Sequence, residues 1–381
     1  MTRAEDIAAL TRQLIPDIVE LRRAIHMEPE LGWFEVATTK RVAKALERFG
    51  VTPQVRESGL GAIADVGQGD NAVGFRADLD ALPIRELNDV PYRSTVDGVM
   101  HACGHDVHTA IGVGIAAVLN RLGDIGGRVR LIFQPAEEKI PGGATELRAE
   151  RVHEGLRCII GFHVDPTIEP GRIGLRIGGI TGASDRFRIH LSGPGGHTSR
   201  PHQTVDLVYV AGRVITDLPE VIRQTIDPRE PLALVFGSMS GGSAENVIPA
   251  EVTIGGTARM FDHDLWRDMP KMIEKAVGDL VHPSGARFEL DYYRGSPPTV
   301  NDEHVIHTVR TAVTDALGPD ADVATHQSLG SEDFAWYLED IPGALIRLGS
   351  GIRGRTVDLH SATFDIDEAA IETGIIAGTA S

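Results

Sequence analysis

The sequence predicts an α/β protein, with a mixed-sheet domain interrupted by a smaller inserted unit of ferredoxin-like βαββαβ order. Three observations predict it. A chain of 381 residues is too long for most single hydrophobic cores, so about two domains are expected. The outer parts of the chain alternate short apolar runs with helical patterns, which implies a largely parallel or mixed sheet covered by helices. The middle part instead runs strand, helix, strand, strand, helix, strand.

Taken in order, Ile7, Leu10, Leu14, Ile18, Leu21 and Ile25 recur at helical spacing. Residues 61–66 and 72–76 are short apolar runs of strand character. A helix is expected from near Asp106 through Ile111, Ile115, Val118 and Leu119, stopping at Gly123. Residues 128–133 and 158–162 read as further strands. In the middle, 187–191 alternates like a half-buried strand, 206–224 reads as a helix, and 232–239 and 252–260 read as strands. A helix over 264–280, capped by the Asp262/Asp264 region, and a strand over 287–293 complete the insertion. The chain returns through a helix at 303–317, a strand at 344–348 and a final helix from Asp367. The expected division is 1–179 and 296–381 for the larger domain, and 180–295 for the insertion. Neither repeats nor low-complexity tracts are visible.

Composition narrows the function classes. A formal charge of −17 argues against nucleic acid or an anionic membrane as partner. There is no long uncharged apolar run for a membrane span, and the charged first residues lack a secretory apolar core. Two cysteines, Cys103 and Cys158, make a disulfide framework improbable and a reducing cytoplasm the expected location.

The chemistry concentrates in His101-Ala-Cys-Gly-His-Asp-Val-His108, which offers a thiol, three imidazoles and a carboxylate. Cys103 and His105 sit two apart before a helix, where a tight Gly104 turn could aim both side chains one way. Thiolate with imidazole favours zinc or another borderline metal. Glu137 and Glu138 follow an apolar strand, and adjacent side chains there diverge. One carboxylate can bind metal while the other works as a general base. His163 closes another apolar strand, and His360 follows Val357-Asp-Leu. Sites in open α/β sheets form at the carboxyl ends of strands, where three of these segments sit. Asp80, after the strand at 72–77, could bond to Glu137 or to a ligand histidine. In the insertion, His197 stands in a glycine-rich loop, and Asn246 and Arg259 are polar candidates. Arginine matches a carboxylate bidentately.

These residues carry a resemblance. The chain resembles the M20 metallopeptidase superfamily, in its amidohydrolase branch of N-acyl-amino-acid, hippurate and indole-acetyl-amino-acid hydrolases. The resemblance runs from Leu21-Arg-Arg-Ala-Ile-His-Met-Glu-Pro-Glu-Leu-Gly32 and Phe75-Arg-Ala-Asp-Leu-Asp-Ala-Leu-Pro83 through Met100-His-Ala-Cys-Gly-His-Asp106. It continues with Gln134-Pro-Ala-Glu-Glu138, Gly195-Gly-His197, Asn246-Val-Ile-Pro249 and Gly330-Ser-Glu-Asp-Phe334, and ends at His360.

The resemblance implies a zinc-peptidase-like catalytic domain with an inserted lid that also forms the dimer interface. It implies that Cys103, His105, Glu138, His163 and His360 hold two divalent metals, zinc or manganese, with cobalt or nickel as further candidates. Glu137 would be the general base and Asp80 its orienting partner. His197 would reach the neighbouring subunit's site and stabilise an oxyanion, while Asn246 and Arg259 grip a substrate carboxylate. The implied reaction is hydrolysis of a small-molecule N-acyl amino acid by a cytoplasmic homodimer, with a tetramer as the alternative assembly. Competing readings are a dipeptidase or carboxypeptidase on the same centre, and a non-catalytic binding or regulatory member. Other superfamily members carry a metal-binding histidine at the position of Asp78, so no ligand role is carried onto it. Asp106 falls at a bridging-carboxylate position, and its role stays open. His101 and His108 read as structural. Residues 139–143 and 178–184 depart from the common wording of the branch and could line the acyl or amino-acid pocket.

Overall fold

The computed structural model of the chain describes residues 2–381. The chain forms two compact units. The first comprises the stretch ending at Gly178 with Asn301–His326 and Asp333–Ser381; the second comprises Gly179–Val300 and Gln327–Glu332.

The first unit is built on an eight-stranded sheet. Its order is Gln54–Val55, Ala62–Gly67, Arg128–Gln134, Ala72–Asp78, Leu156–Asp165, Gly343–Gly349, Ile173–Leu175 and Asp322–Ala324. The four central strands, from Arg128–Gln134 to Gly343–Gly349, are mutually parallel. Ala62–Gly67 and Ile173–Leu175 run antiparallel to their central neighbours, so the sheet is mixed. Gly343–Gly349 is buried at every position, as expected for a parallel strand covered on both faces.

The helix predicted from Asp106 to Gly123 forms as His105–Leu122, and it is buried from His105 through Leu119. It packs against the sheet and against the helices Arg3–Met27 and Ala369–Ala380. Arg3–Met27 starts with a capping box between Thr2 and Glu5, which satisfies two orphan amides. It buries Ile7, Leu14, Ile18 and Ile25, four of the six positions its spacing marked. The helix Val36–Arg48 was not expected. Its buried face is Thr38, Thr39, Val42 and Leu46, half hydroxyl-bearing and therefore faint as an apolar stripe.

The second unit has a four-stranded sheet of order Leu232–Ser240, Glu251–Met260, Asp185–Ser192 and Arg287–Tyr293. Every neighbouring pair is antiparallel. Its helices, Leu207–Arg223 and His263–Val281, start at Asp206 and Asp262, whose side chains accept from the amides of Tyr209 and Leu265. The chain order is therefore βαββαβ. Among the described residues, no helix is long and apolar enough to cross a membrane.

Candidate metal centre

Five chain segments meet at the carboxyl end of the parallel strands in the first unit. Asp80 lies two residues beyond Ala72–Asp78, Glu137 and Glu138 lie just beyond Arg128–Gln134, and His163 lies near the end of Leu156–Asp165. Cys103 and Gly104 lead directly into the helix that His105 begins. Gly104 has φ +80°, and a Cβ there would come within 2.4 Å of Val164 Cγ2. Both the left-handed turn and the close approach require glycine. His360 arrives from far along the chain. Its amide donates to the Ala102 carbonyl at 2.8 Å, and its φ is +60°, uncommon for a side-chain-bearing residue.

These segments converge tightly. Cys103 Sγ lies 3.5 Å from His163 Nε2 and 3.3 Å from His360 Nε2. His360 Nε2 is also 3.1 Å from Glu138 Oε1. His105 Nε2 is 3.9 Å from Glu137 Oε2. Three overlapping groups of donor atoms, each mutually within 4.8 Å, link the residues: Cys103, His105 and His163; Cys103, Glu138 and His360; His105, Glu137 and Glu138.

Asp80 braces the arrangement. Its Oδ1 accepts from the Glu137 amide and its Oδ2 from the Glu138 amide, both at 3.0 Å. Oδ1 also meets His105 Nδ1 at 3.2 Å. With Nδ1 turned to Asp80, Nε2 of His105 is the nitrogen that faces the cluster.

The imidazoles differ electrostatically. Burial, joined by the Arg347 charge, holds His163 well below the usual imidazole range. Burial also opposes a charged His105, but the Asp78 charge and the Asp80 hydrogen bond outweigh it and push that ring well above the range. Hydrogen bonds that His360 donates to Cys103 and then to Glu138 push its ring up to about 10.

Other polar residues of the motif turn elsewhere. His108 Nδ1 meets Asp78 Oδ1 at 2.7 Å, and its Nε2 accepts from the Val164 amide at 2.9 Å. Asp78 is also held by Arg76 at 2.5 Å. Asp106, whose role the sequence left open, points to Arg22 Nε at 2.6 Å and His26 Nδ1 at 2.8 Å. His101 is buried, and burial lowers its ring to about 4, so it is neutral. The remaining candidates belong to the second unit. His197 is exposed in a short ladder with Val247. Its Nδ1 accepts from the Ser199 amide at 3.1 Å, which leaves the proton of the neutral ring on Nε2 as a donor. Asn246 is exposed, and Arg259 donates to the Leu329 carbonyl at 2.6 Å.

Two residues around the first-unit cluster escaped the reading of the sequence. Glu35 accepts from the Ala136 amide at 2.7 Å. Asp333 receives Arg76, Gln134 and the Ala144 amide on its carboxylate, while its own amide faces Glu137 Oε1 at 3.4 Å. Both contacts span a hundred residues or more; Asp333 lies in the 330–334 stretch of the resemblance, but no role was read for it.

Residues 74–380 match the family described as Peptidase family M20/M25/M40. The chain belongs to that family. It is an enzyme of the hydrolase class. An N-acyl-L-amino acid amidohydrolase of Geobacillus stearothermophilus is 39% identical over 300 residues, covering 78% of this chain and 81% of that one. An N-acetylcysteine deacetylase of Bacillus subtilis is 36% identical, covering 93% of each. A solved M20-family structure from Bacillus subtilis, described as a dinuclear metal-binding peptidase, superposes with TM-score 0.85 at 32% identity. That match covers 97% of this chain and 98% of the other.

The cluster fits a bound metal on its own chemistry. His105 Nε2 is buried and lacks a hydrogen-bond partner. Buried polar atoms are rarely left so, because each orphan costs about 1–3 kcal/mol. A thiol shared between a group with His105 and His163 and a group with Glu138 and His360 is a borderline-metal donor set.

Proposed function

We propose that this enzyme hydrolyses the amide bond of N-acyl amino acids of the acetyl, benzoyl or indole-acetyl type, releasing a carboxylic acid and a free amino acid. Cys103, His105, Glu138, His163 and His360 would hold two divalent ions, zinc or manganese. The observation that carries the reading is the donor set itself, with a neighbouring carboxylate, Glu137, 3.9 Å from a ligand imidazole. The names of the relatives from Geobacillus and Bacillus support the substrate class. Bound divalent ions would supply Lewis acidity, polarising the amide carbonyl and lowering the pKa of a water from about 16 toward about 7.

Glu137 takes the proton of the attacking water and returns it to the amine nitrogen as the C–N bond breaks. Asp80 fixes the backbone under Glu137 and Glu138 through both amides, so the base and the ligand carboxylate keep separate directions. The Nε2 proton of His197 suits the developing oxyanion, and Asn246 and Arg259 suit the carboxylate of the amino acid. In this reading the second unit is a lid and dimer interface that delivers His197 to the site of the neighbouring subunit.

The test is a panel of acetyl-, benzoyl- and indole-acetyl-amino acids beside matching dipeptides, assayed with zinc, manganese and cobalt. Turnover of the acylated amino acids alone is expected. Preference for the dipeptides sinks the reading in favour of a dipeptidase. Glu137→Ala is expected to keep its metal, counted by elemental analysis, while kcat falls by about 10²–10⁴.

A further inference from the structure

The turn that carries Glu137 and Glu138 is unusual in its backbone. Ala136, directly before them, has φ +53°, a left-handed conformation that costs a non-glycine residue about 1–2 kcal/mol. Such a residue persists only where its surroundings hold it. Here both of its peptide groups are held. The Gly143 amide donates to the Ala136 carbonyl at 3.1 Å. A Cβ at Gly143 would lie 1.8 Å from the Pro135 carbonyl oxygen, so only glycine can come that close. On the other side, the Ala136 amide donates to Glu35 Oε1 at 2.7 Å.

Three consecutive amides, of Ala136, Glu137 and Glu138, thus end on two carboxyl groups, Glu35 and Asp80. Asp80 belongs to the bracing already described. Glu35 touches none of the donor atoms of the cluster. It is fully buried at the start of the helix Val36–Arg48, yet it makes no side-chain cap bond there. Its Oε2 is buried and lacks a hydrogen-bond partner among the described residues. Burying a carboxyl with one oxygen unpartnered is costly for the fold. Burial, reinforced by the Asp80 charge, pushes it up to about 7. The amides of Glu35 itself and of Trp33 also act on the carboxyl, and its bond to the Ala136 amide is the one that reaches the strained turn.

We infer that Glu35 is a positioning residue, a buried hydrogen-bond acceptor that holds the Ala136 turn and so aims the Glu137 base and the Glu138 carboxylate. The inference rests on the roles proposed for Glu137 and Glu138. Glu35 acts through the geometry of its acceptor oxygen, so an amide in its place serves as well. Gln keeps the Oε1 acceptor at the same reach, Asp withdraws it by one methylene, and Leu fills the volume with no acceptor.

The experiment compares Glu35→Gln, Glu35→Asp and Glu35→Leu with the parent enzyme on acetyl-amino acids, and measures zinc affinity by chelator competition. For Glu35→Leu, kcat is expected to fall about tenfold to a hundredfold with KM changed less than about threefold, and zinc affinity about tenfold, by analogy with other outer-shell partners of metal ligands. Glu35→Gln should restore both to within about threefold, and Glu35→Asp should fall between. A Leu variant with parental kcat and zinc affinity overturns the inference, as does a Gln variant as impaired as Leu. If Glu35→Leu does not fold, an Asp variant with parental kcat and zinc affinity overturns it equally. If the parent turns over no acyl-amino acid, the proposed substrate has failed, and the zinc-affinity arm still tests Glu35.

Discussion

His105 and His108 stand three residues apart on one buried helix, yet their surroundings are opposite. Both nitrogens of His108 are engaged, one by Asp78 and one by the Val164 amide. His105 is braced by Asp80 on Nδ1 and has nothing bonded to Nε2. The neighbours follow suit. Around His108 lies a closed network of Asp78, Arg76, Gln134 and Asp333. Around His105 lie Cys103, His163 and the two glutamates, crowded donor to donor. Burial alone therefore does not mark a reactive site. What separates the two regions is whether the hydrogen-bonding capacity is already spent within the chain.

The contrast can be broken by substitution. His105→Ala should cost several orders of magnitude in turnover and release bound metal, while urea unfolding shows a folded protein. His108→Ala should do the reverse. It removes the partner of Asp78 Oδ1 and of the Val164 amide, so it should destabilise the fold by about 2–3 kcal/mol in urea unfolding and retain metal. Asp78, His105 and His108 also lie close enough to hold an ion. A folded His108→Ala protein that loses metal as His105→Ala does would move the centre to that group.

Glu35 is an intermediate case, with one oxygen engaged and one orphaned, and it sharpens the comparison through pH. Its folded value is about 7 against an ordinary 4.5. A carboxyl raised on folding costs stability as pH rises through the unfolded value, and the full cost is present above the folded one. Glu35→Gln removes that titration. Its thermal stability relative to the parent should therefore improve from pH 5 to pH 8.5, by about 3 kcal/mol at most. A difference that is flat with pH would mean that Glu35 does not titrate in this window.

Much of the first-unit cluster was legible in the sequence because strand ends advertise it. Asp80, Glu137 and His163 each follow an apolar run, and the Cys103–His105 pair opens a helix that is buried on all sides from His105 through Leu119. The order of the second unit was legible for the same reason, since Leu207–Arg223 and His263–Val281 each carry a local cap and a periodic face. What stayed hidden depends on distant pairing. Asp106 could not be assigned until Arg22, 84 positions away, was seen to hold it. The Glu35 contact spans 101 positions and ends on a backbone amide, which carries no side-chain signal. The segment Gln327–Glu332 joins the second unit without any periodic pattern of its own.

His360 anchors its amide beside Cys103 although the two residues are 257 positions apart. On a ribosome adding about 5–20 residues per second, that interval lasts about 13–50 s. Throughout it, the nascent chain holds the thiol and His105 without the imidazole that closes the set. The thiol is open to oxidants and to stray ions for that time, and an early, incomplete chelate would have to exchange ligands later. If His360 holds metal as proposed, assembly of the centre waits until that residue has been made, and products that stop short of it cannot complete the set.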